Sequence, residues 1–291
     1  MPRAGRAQPQ VVLITGASRG IGAACARLLA ERGHRVFGTS RRAPAASSPA
    51  TLGRGSVELL PMDVDSDASV AGGVRYVLDR AGRLDVAVNN AGMGILGPVE
   101  DTSVAEARAQ LETNLLGPWR VCRAVLPAMR AQGGGLIVNI GSIGGLTGIP
   151  FQGAYSASKF GLEGLTEALR LEVRPFGIRV VIVEPGNIDT QATACSPGTG
   201  ARSGAYDHDL ERAREAMIRS EAGGAPPEAV ARLLARVMAT PRPRVRYTVG
   251  PVPERAAASV KRVLPSRLFE RLLLPAYGLD ARRLGGTGVE S

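Results

Sequence analysis

A tyrosine and a lysine in the stretch YSASKF are spaced for acid–base chemistry. Tyr155 and Lys159 lie four residues apart in a segment with helical periodicity, so we expect them on one helix face with Cβ atoms within about 6 Å. A tyrosine pKa near ~10 is too high for efficient proton exchange at neutral pH, and a neighbouring ammonium is expected to lower it. Lys159 is one of only two lysines among the 36 Lys and Arg residues. This suggests that the larger, planar guanidinium of arginine cannot replace the ammonium at this position.

A second candidate for chemistry is the turn TGASRGIG, which joins a buried apolar run to a helical pattern. Gly16 would allow the tight turn, Gly20 would let the backbone approach a pyrophosphate, and Gly22 would permit close packing of helix on strand. The start of the helix would face the phosphates. The turn therefore predicts a dinucleotide site.

The residues after the second apolar run indicate which dinucleotide binds. An NAD site usually has an acidic residue there, whereas this chain has Ser40, Arg41 and Arg42, with Arg19 nearby in the glycine turn. Arginines beside the adenosine ribose would pair with a 2′-phosphate through charge-assisted hydrogen bonds. The predicted cofactor is NADP(H).

The elements that must position these residues alternate between short apolar runs and amphipathic stretches. This alternation is typical of a parallel sheet covered by helices on both faces, a doubly wound α/β fold. The predicted strands are residues 11–14, 36–39, 57–62, 86–89, 136–140, 180–183 and 245–249, and helical patterns include 21–32, 104–131 and 158–173. Residues 190–226 show little periodicity and are predicted to be a long loop that serves as a substrate lid.

Composition limits the partners and the compartment. The 291 residues carry a formal charge of +10, which suits nucleotide phosphates, an acidic carrier protein or a membrane surface. No run of five or six like charges occurs, so we predict no nucleic-acid partner. The three cysteines lack CxxC spacing, His208 has no ligand cluster around it, and no apolar run approaches a membrane span. We expect a cytoplasmic protein without a metal site.

The motifs, taken in order, resemble the short-chain dehydrogenase/reductase family. They are the glycine turn, NNAG at 89–92, Asn114, Ser142, the Tyr155–Lys159 pair and PGNIDT at 185–190. The resemblance covers roughly residues 11–249 and is closest in pattern to the branch containing hydroxysteroid and retinol dehydrogenases. It implies a single Rossmann-like domain with a seven-stranded parallel sheet, here 8–250, followed by a C-terminal helical extension, 251–291. It also implies an NADP-dependent oxidoreductase acting on CH–OH and C=O groups, working as a homodimer or homotetramer.

The resemblance also implies roles for individual residues. Asp63 and Val64 would border the adenine, Asn90 its ribose, and Ile188 and Thr190 the nicotinamide carboxamide. The full set of expected cofactor contacts is Gly16, Ser18, Arg19, Gly20, Ile21, Gly22, Ser40, Arg41, Asp63, Val64, Asn90, Ala91, Gly92, Tyr155, Lys159, Pro185, Gly186, Ile188 and Thr190.

Four residues are expected to be catalytic: Asn114, Ser142, Tyr155 and Lys159. By resemblance, Ser142 would hold the substrate oxygen beside Tyr155, and a proton relay would run through Lys159 to a water on the Asn114 carbonyl. Pro118 has no N–H to donate to that carbonyl four residues back, which would leave it free. The alternative left open is that Gly117 and Pro118 only kink or end a helix.

The substrate is expected to be a bulky hydrophobic ketone or alcohol, steroid-, retinoid- or lipid-like. Its expected contacts are Ser142, Leu146, Ile149, Phe151, Gln152 and Tyr155. Two alternatives stay open: a ketoreductase of acyl or polyketide chains on a carrier protein, and a non-catalytic NADP-sensing protein.

The C-terminal extension contains an amphipathic stretch whose apolar stripe must be covered. Leu264, Leu268 and Leu272 recur every fourth residue, with Phe269 and Leu273 beside them. We expect this stripe to pack near the substrate cleft. Ordinary packing against the domain and peripheral contact with a membrane are the alternatives.

Overall fold

The computed structural model describes residues 9–44, 48–261 and 264–279. Its strands are β1 Val11–Ile14, β2 Arg35–Ser40, β3 Ala50–Leu52, β4 Gly55–Pro61, β5 Val86–Asn89, β6 Gly135–Ile140, β7 Ile178–Pro185 and β8 Arg246–Val249. Its helices are α1 Gly20–Glu31, α2 Asp67–Ala81, α3 Val104–Leu111, α4 Gly117–Ala131, α5 Gly153–Glu172, α6 Asp207–Ala222, α7 Pro227–Ala239, α8 Val252–Val260 and α9 Ser266–Leu273.

The strands form one sheet in the order β3-β4-β2-β1-β5-β6-β7-β8. The seven predicted strands are all present and parallel, which confirms the doubly wound α/β fold. An eighth strand, β3, was not predicted and pairs antiparallel with β4 at the sheet edge. Its sequence, ATL, is short and mostly exposed, so it lacks the apolar run that marks the other strands.

Each face of the sheet has its own apolar core. Alternate residues of β1 illustrate the division: Val12 and Ile14 pack with the helices α1 and α7, whereas Leu13 packs with α2, α4 and α5. All four β1 residues are buried, as expected for a parallel strand covered on both sides.

The strand register brings the candidate site together at one edge. Ile14 pairs with Val88, and Ile140 pairs with Val183, so β1, β5, β6 and β7 end at similar heights. The residues that follow these four strands therefore share the carboxyl edge of the sheet. The strand order reverses at β1, which lies between β2 and β5, and ligands of open α/β sheets bind at such a switch point.

Two predicted elements differ from the structure. The helical pattern 104–131 is interrupted by a π turn, Glu112–Leu116, which separates α3 from α4. The predicted loop 190–226 is irregular only in its first part, because α6 occupies Asp207–Ala222. That helix is rich in charged residues and buries only Ala213, Met217 and Glu221, so its apolar periodicity is weak.

The C-terminal extension forms α8, α9 and a short 3₁₀ turn, Leu274–Tyr277. The predicted apolar stripe is not buried as a unit. Phe269 is buried, Leu264 and Leu273 are partly buried, and Leu268 and Leu272 are exposed. The part of the prediction that concerns residues 262–263 and 280–291 lies outside the described residues.

Candidate active site and cofactor site

Thr15 and Asn90 fix the shape of the glycine turn. The backbone N–H groups of Asn90 and Ala91 both donate to the Thr15 hydroxyl at 2.9 Å. The Asn90 side-chain amide donates to the carbonyls of Thr15 and Gly16 at 2.9 and 3.1 Å. The residues that follow β5 therefore hold the turn after β1 in place through hydrogen bonds. The Asn90 side chain, which was predicted to lie beside the ribose, makes two of these bonds.

The glycines of this turn fit a bound pyrophosphate. A Cβ on Gly22 would lie 2.3 Å from the Gly16 carbonyl oxygen, and one on Gly16 would lie 2.9 Å from the Ala91 Cα, so both positions require glycine for close packing. Gly20 is partly buried and has a φ of +56°, a conformation that favours glycine, and the atom nearest to a Cβ added there would be Thr190 Cγ2 at 3.5 Å. The first turn of α1 contains no acidic residue that would repel an anion. The other two predicted residues of the turn, Ser18 and Arg19, are exposed, and Ile21 is partly buried.

The end of β2 presents cations. Arg41 and Arg42 are exposed, and Ser40 is partly buried and accepts a 3.3 Å hydrogen bond from the Arg42 N–H. A nearby carboxylate is Asp65. Burial raises the pKa of Asp65. The Thr113 hydroxyl, which donates to the Asp65 carboxylate at 2.9 Å, and the Arg41 charge both lower that pKa.

The predicted adenine residues follow β4. The Asp63 N–H donates to the Ser69 hydroxyl at 2.9 Å, and Val64 is buried. Gly92, at the end of NNAG, lies beside Asn114, since a Cβ there would be 3.3 Å from Asn114 Oδ1.

Tyr155, Lys159 and Ser142 lie together, between the end of β6 and the first turns of α5. Lys159 Nζ is 5.7 Å from the centre of the Tyr155 ring and donates to the Ile140 carbonyl at 2.9 Å. Gly144 separates Ser142 from Tyr155: a Cβ on it would lie 3.2 Å from Tyr155 Cε1 and 3.3 Å from Ser142 Oγ. The Gly144 N–H donates to Ser142 Oγ at 3.0 Å and fixes that hydroxyl.

Burial governs the ionisation of both groups. Burial raises the pKa of Tyr155; the hydrogen bond with the Ser142 hydroxyl lowers this pKa, and the Glu221 charge raises it further. Burial lowers the pKa of Lys159 to about 8, although the Glu163 charge acts in the opposite direction. The expected lowering of the tyrosine pKa is therefore wrong for this structure, because burial is the largest effect and raises the pKa.

Asn114 occupies the π turn and joins three segments. Its side chain accepts from the Met93 N–H and donates to the Met93 carbonyl, both at 2.9 Å, and its amide reaches Ser158 Oγ at 3.1 Å. The Ser158 hydroxyl in turn donates to the Tyr155 carbonyl at 2.6 Å. Sequence reasoning missed Ser158, although a serine three residues after a helical tyrosine is placed to bond back to its carbonyl.

The segment after β7 is held by a buried carboxylate that sequence reasoning also missed. Glu221 of α6 accepts from the Thr190 hydroxyl at 2.8 Å and from the N–H groups of Ala192 and Thr193 at 2.6 and 2.8 Å. Of the other residues predicted for the nicotinamide, Ile188 and Pro185 are buried and Gly186 is partly buried. Nothing in the sequence spacing connects position 221 with position 190.

The predicted substrate residues form one side of an apolar cluster. Ile149 and Phe151 pack against Leu96 and the α6 residues Ala213 and Met217, and Tyr277 of the C-terminal extension packs against the same cluster. Phe151 adopts a φ of +59°, which is strained for a bulky residue, and its carbonyl accepts from the Gly97 N–H at 2.8 Å. The remaining two, Leu146 and Gln152, are partly buried; the Leu146 carbonyl accepts from Lys261 Nζ at 2.7 Å.

His208 lies in the first turn of α6, is exposed, and faces Asp209 at 3.2 Å. Across the described residues, no group of three or more His, Cys, Asp and Glu side chains could hold a metal ion.

Comparison with known proteins places this arrangement in a family. The family model described as short chain dehydrogenase matches residues 10–197. This chain is a member of the short-chain dehydrogenase/reductase family. It is therefore an oxidoreductase acting on CH–OH and C=O groups with a nicotinamide cofactor. The family resemblance predicted from the motifs is confirmed.

The relatives of this short-chain dehydrogenase include lipid- and steroid-directed enzymes. It is 41% identical to 3-ketodihydrosphingosine reductase of Bacteroides thetaiotaomicron, covering 94% of this chain and 99% of the relative. It is 37% identical to 17-beta-hydroxysteroid dehydrogenase type 1 of Mus musculus, covering 82% and 73%. These relatives, with retinol dehydrogenase 8, confirm the predicted branch.

Solved structures agree with the fold. A short-chain dehydrogenase from Streptomyces avermitilis superposes with a TM-score of 0.78 at 32% identity, covering 91% of this chain and 97% of that one. An alcohol dehydrogenase from Thermococcus sibiricus complexed with 5-hydroxy-NADP superposes with a TM-score of 0.66 at 27% identity, covering 84% and 97%.

Proposed function

We propose that this short-chain dehydrogenase is an NADPH-dependent reductase of a long-chain hydrophobic ketone, and that 3-ketodihydrosphingosine is the first substrate to test. The observation that carries the proposal is that Tyr155, Ser142 and Ile149 all border Gly144, and that Ile149 packs against the apolar cluster of Leu96, Ala213 and Met217. The relative with 41% identity, which the chain covers almost end to end, supports the lipid substrate.

The chain's own residues would prepare the proton transfer. Because burial raises the pKa of Tyr155, its hydroxyl stays protonated at neutral pH and can donate to a ketone oxygen. Ser142 would donate a second hydrogen bond to that oxygen, and Lys159 would stabilise the phenolate left behind. NADPH, when bound, would supply the hydride to the carbonyl carbon, so that the products are an alcohol and NADP⁺.

The cofactor preference rests on the end of β2. Ser40 and Arg41 would contact the 2′-phosphate, with Asp63, Val64 and Asn90 around the adenosine and Ile188 and Thr190 around the nicotinamide. The Thermococcus sibiricus alcohol dehydrogenase holds an NADP derivative, 5-hydroxy-NADP, which supports this preference.

The deciding experiment is a turnover assay of the purified protein with NADPH and with NADH. The ketones would be 3-ketodihydrosphingosine, a keto-steroid, retinal and a β-ketoacyl thioester. We expect the long-chain ketone to be reduced with the highest kcat/KM, and with NADPH. A preference for the thioester would instead identify a carrier-chain ketoreductase. NADPH binding without turnover of any ketone would identify a sensing protein.

We further propose a cytoplasmic homo-oligomer. The cysteines are free thiols, with Cys25 and Cys122 buried and Cys195 exposed. Leu116 and Trp119 are large apolar side chains that are 41% and 50% exposed on adjacent turns, which a subunit contact would cover. In the described part of the chain, no helix is long and apolar enough to cross a membrane.

A further inference from the structure

Glu254 of the C-terminal extension lies against the loop predicted to hold the nicotinamide. One carboxylate oxygen accepts from the Asn187 N–H at 2.7 Å, and the other accepts from the Asn187 side-chain amide at 2.5 Å. A Cβ on Gly186 would lie 2.1 Å from Glu254 Oε2 and 3.1 Å from Ile143 Cδ1. The Glu254 carboxylate therefore occupies the space where a Gly186 side chain would lie. Ile143, the residue after Ser142, borders the same space.

Glu254 also adjoins the apolar cluster. Burial, with an added contribution from the Glu254 charge, raises the pKa of Tyr277 to about 12. Tyr277, Ile149 and Phe151 all pack against the apolar cluster of Leu96, Ala213 and Met217. The carboxylate therefore lies close to a residue of the apolar surface that would hold an alkyl chain.

In the part of the chain that the structure describes, the partly buried Glu254 carboxylate has no cationic partner, although the chain carries a formal charge of +10. Among the described residues, no lysine, arginine or histidine forms an ion pair with it. The neighbouring Arg255 directs its Nε toward the Thr248 hydroxyl, and Lys261 donates to the Leu146 carbonyl. A carboxylate can accept about four hydrogen bonds, so capacity for a cationic donor remains after Asn187 is satisfied.

We propose that Glu254 binds a primary ammonium group carried beside the ketone, which makes the substrate an amphiphilic amino ketone. This inference rests on the proposed reductase function and names its substrate class. The ammonium would donate to Glu254 while the ketone oxygen faces Tyr155 and the alkyl chain lies along Ile149, Phe151 and Tyr277. Glu254 is thereby a specificity-determining residue rather than a participant in hydride or proton transfer.

The test compares two ketones in the wild type and in Glu254→Gln. One is 3-ketodihydrosphingosine, and the other is the same chain with hydrogen in place of the amino group. The wild type should prefer the amino ketone, and Glu254→Gln should raise its KM roughly tenfold, as for a lost hydrogen bond between charged groups, with the amine-free ketone unaffected. Glu270→Gln, on the exposed part of α9, is the matched control and should change neither value.

An equal loss on both ketones would overturn the proposal and leave Glu254 as a residue that only positions Asn187. An unchanged preference would also overturn it. Protection from thermal unfolding gives a readout that needs no turnover: dihydrosphingosine should raise the Tm of the NADPH-bound wild type more than its amine-free analogue, and Glu254→Gln should remove that difference. If this difference appears without reduction of any ketone, the reductase function fails and the ammonium site stands. If the two compounds protect equally, the ammonium site fails.

Discussion

At the scale of single residues, burial favours the neutral forms of both Tyr155 and Lys159. It raises the pKa of Tyr155 and lowers that of Lys159 to about 8. A protonated tyrosine is the form that donates to a ketone oxygen, so the site is suited to reduction at neutral pH. Lys159 is 7% exposed and its Nζ already donates to the Ile140 carbonyl, which fixes where its charge can act.

The replacement Lys159→Arg should reduce kcat by at least about a hundredfold. The larger guanidinium cannot occupy the buried position near the Tyr155 ring and also keep the hydrogen bond to the Ile140 carbonyl. The matched control is Lys261→Arg, the same change at the chain's other lysine, which should keep kcat within about twofold. Steady-state rates with saturating NADPH and ketone would measure both. A Lys159→Arg enzyme that retains most of its turnover would show that charge alone suffices there.

The replacement Arg41→Ala should weaken NADPH binding roughly ten- to a hundredfold and leave NADH binding nearly unchanged, since only NADPH carries the 2′-phosphate. Arg75→Ala, on the exposed side of α2, is the control for a general loss of positive charge. Fluorescence titration with each cofactor would measure the dissociation constants. Equal affinity of the wild type for NADH and NADPH would refute the NADP preference before any variant is made.

The limits of sequence reasoning are visible in individual residues. Tyr155 and Lys159 could be found because their spacing is local, and the glycine turn because it follows an apolar strand. Glu221 and Glu254 could not be found, because each bonds a loop that is more than 25 residues away in the sequence and becomes a neighbour only in the folded chain. The tyrosine pKa was misjudged for a related reason: the sequence shows a neighbouring ammonium but not the loss of solvent.

At the scale of elements, the π turn places Asn114. Its i→i+5 bond runs from the Gly117 N–H to the Glu112 carbonyl, next to Pro118, which has no N–H to offer. The sequence indicated the missing donor but predicted a continuous helix, because the apolar periodicity persists on both sides of a single inserted residue. Likewise, apolar runs revealed the seven parallel strands, whereas the mostly exposed β3 and the highly charged α6 had no such signal.

Restoring a backbone donor tests that element. Pro118→Ala should let the turn relax toward a regular α-helix, move Asn114 away from Met93 and Ser158, and lower kcat roughly tenfold, the order expected when a group near the chemistry is displaced. The solvent isotope effect on kcat should rise if proton transfer becomes slower. The same substitution at Pro127, which lies inside α4, is the control and should leave kcat unchanged. Identical rates and isotope effects in the two variants would mean that Pro118 only shapes the helix.

A buried carboxyl pair joins α5 to the sheet and makes stability depend on pH. Burial, with the adjacent Glu163, raises the pKa of Glu184 from 4.5 to about 9, while Arg246 opposes the shift and bonds both side chains. The native chain therefore holds a proton between pH 4.5 and about 9 that the unfolded chain has released. The contribution of this pair to stability should therefore fall as the pH rises through this window.

We expect Glu184→Gln to flatten that pH dependence, because the amide cannot ionise. Thermal unfolding at intervals across the window would measure the slope of Tm against pH in the wild type and the variant. Glu215→Gln, on the exposed face of α6, is the matched control and should retain the wild-type slope. If Glu184→Gln keeps the full slope, another group is responsible for it.

At the scale of the whole molecule, the C-terminal extension contacts the part of the domain that holds the proposed substrate residues. Among its described residues, Glu254 bonds Asn187, Lys261 bonds the Leu146 carbonyl, and Tyr277 packs against the same apolar cluster as Ile149 and Phe151. It also leaves Leu268 and Leu272 exposed, at 46% and 62%, each directly after an arginine, Arg267 and Arg271. The buried contacts suit a wall of the substrate cleft, and the exposed leucines with their arginines suit contact with an anionic lipid surface.

These two faces of the extension can be separated by substitution. Tyr277→Ala should raise KM for long-chain ketones roughly tenfold, as expected for lost contact in an apolar pocket, and should change KM for short ketones little. Leu268→Ala combined with Leu272→Ala should leave both KM values unchanged, since those side chains are exposed to solvent. The double variant should weaken sedimentation with anionic phospholipid vesicles if the tail meets a membrane. Steady-state kinetics on ketones of graded chain length, alongside vesicle sedimentation of each variant, would measure both effects. If Tyr277→Ala lowers Tm and reduces activity on short and long ketones alike, the extension is ordinary packing of a terminal segment and the chain-length selection lies elsewhere in the cleft.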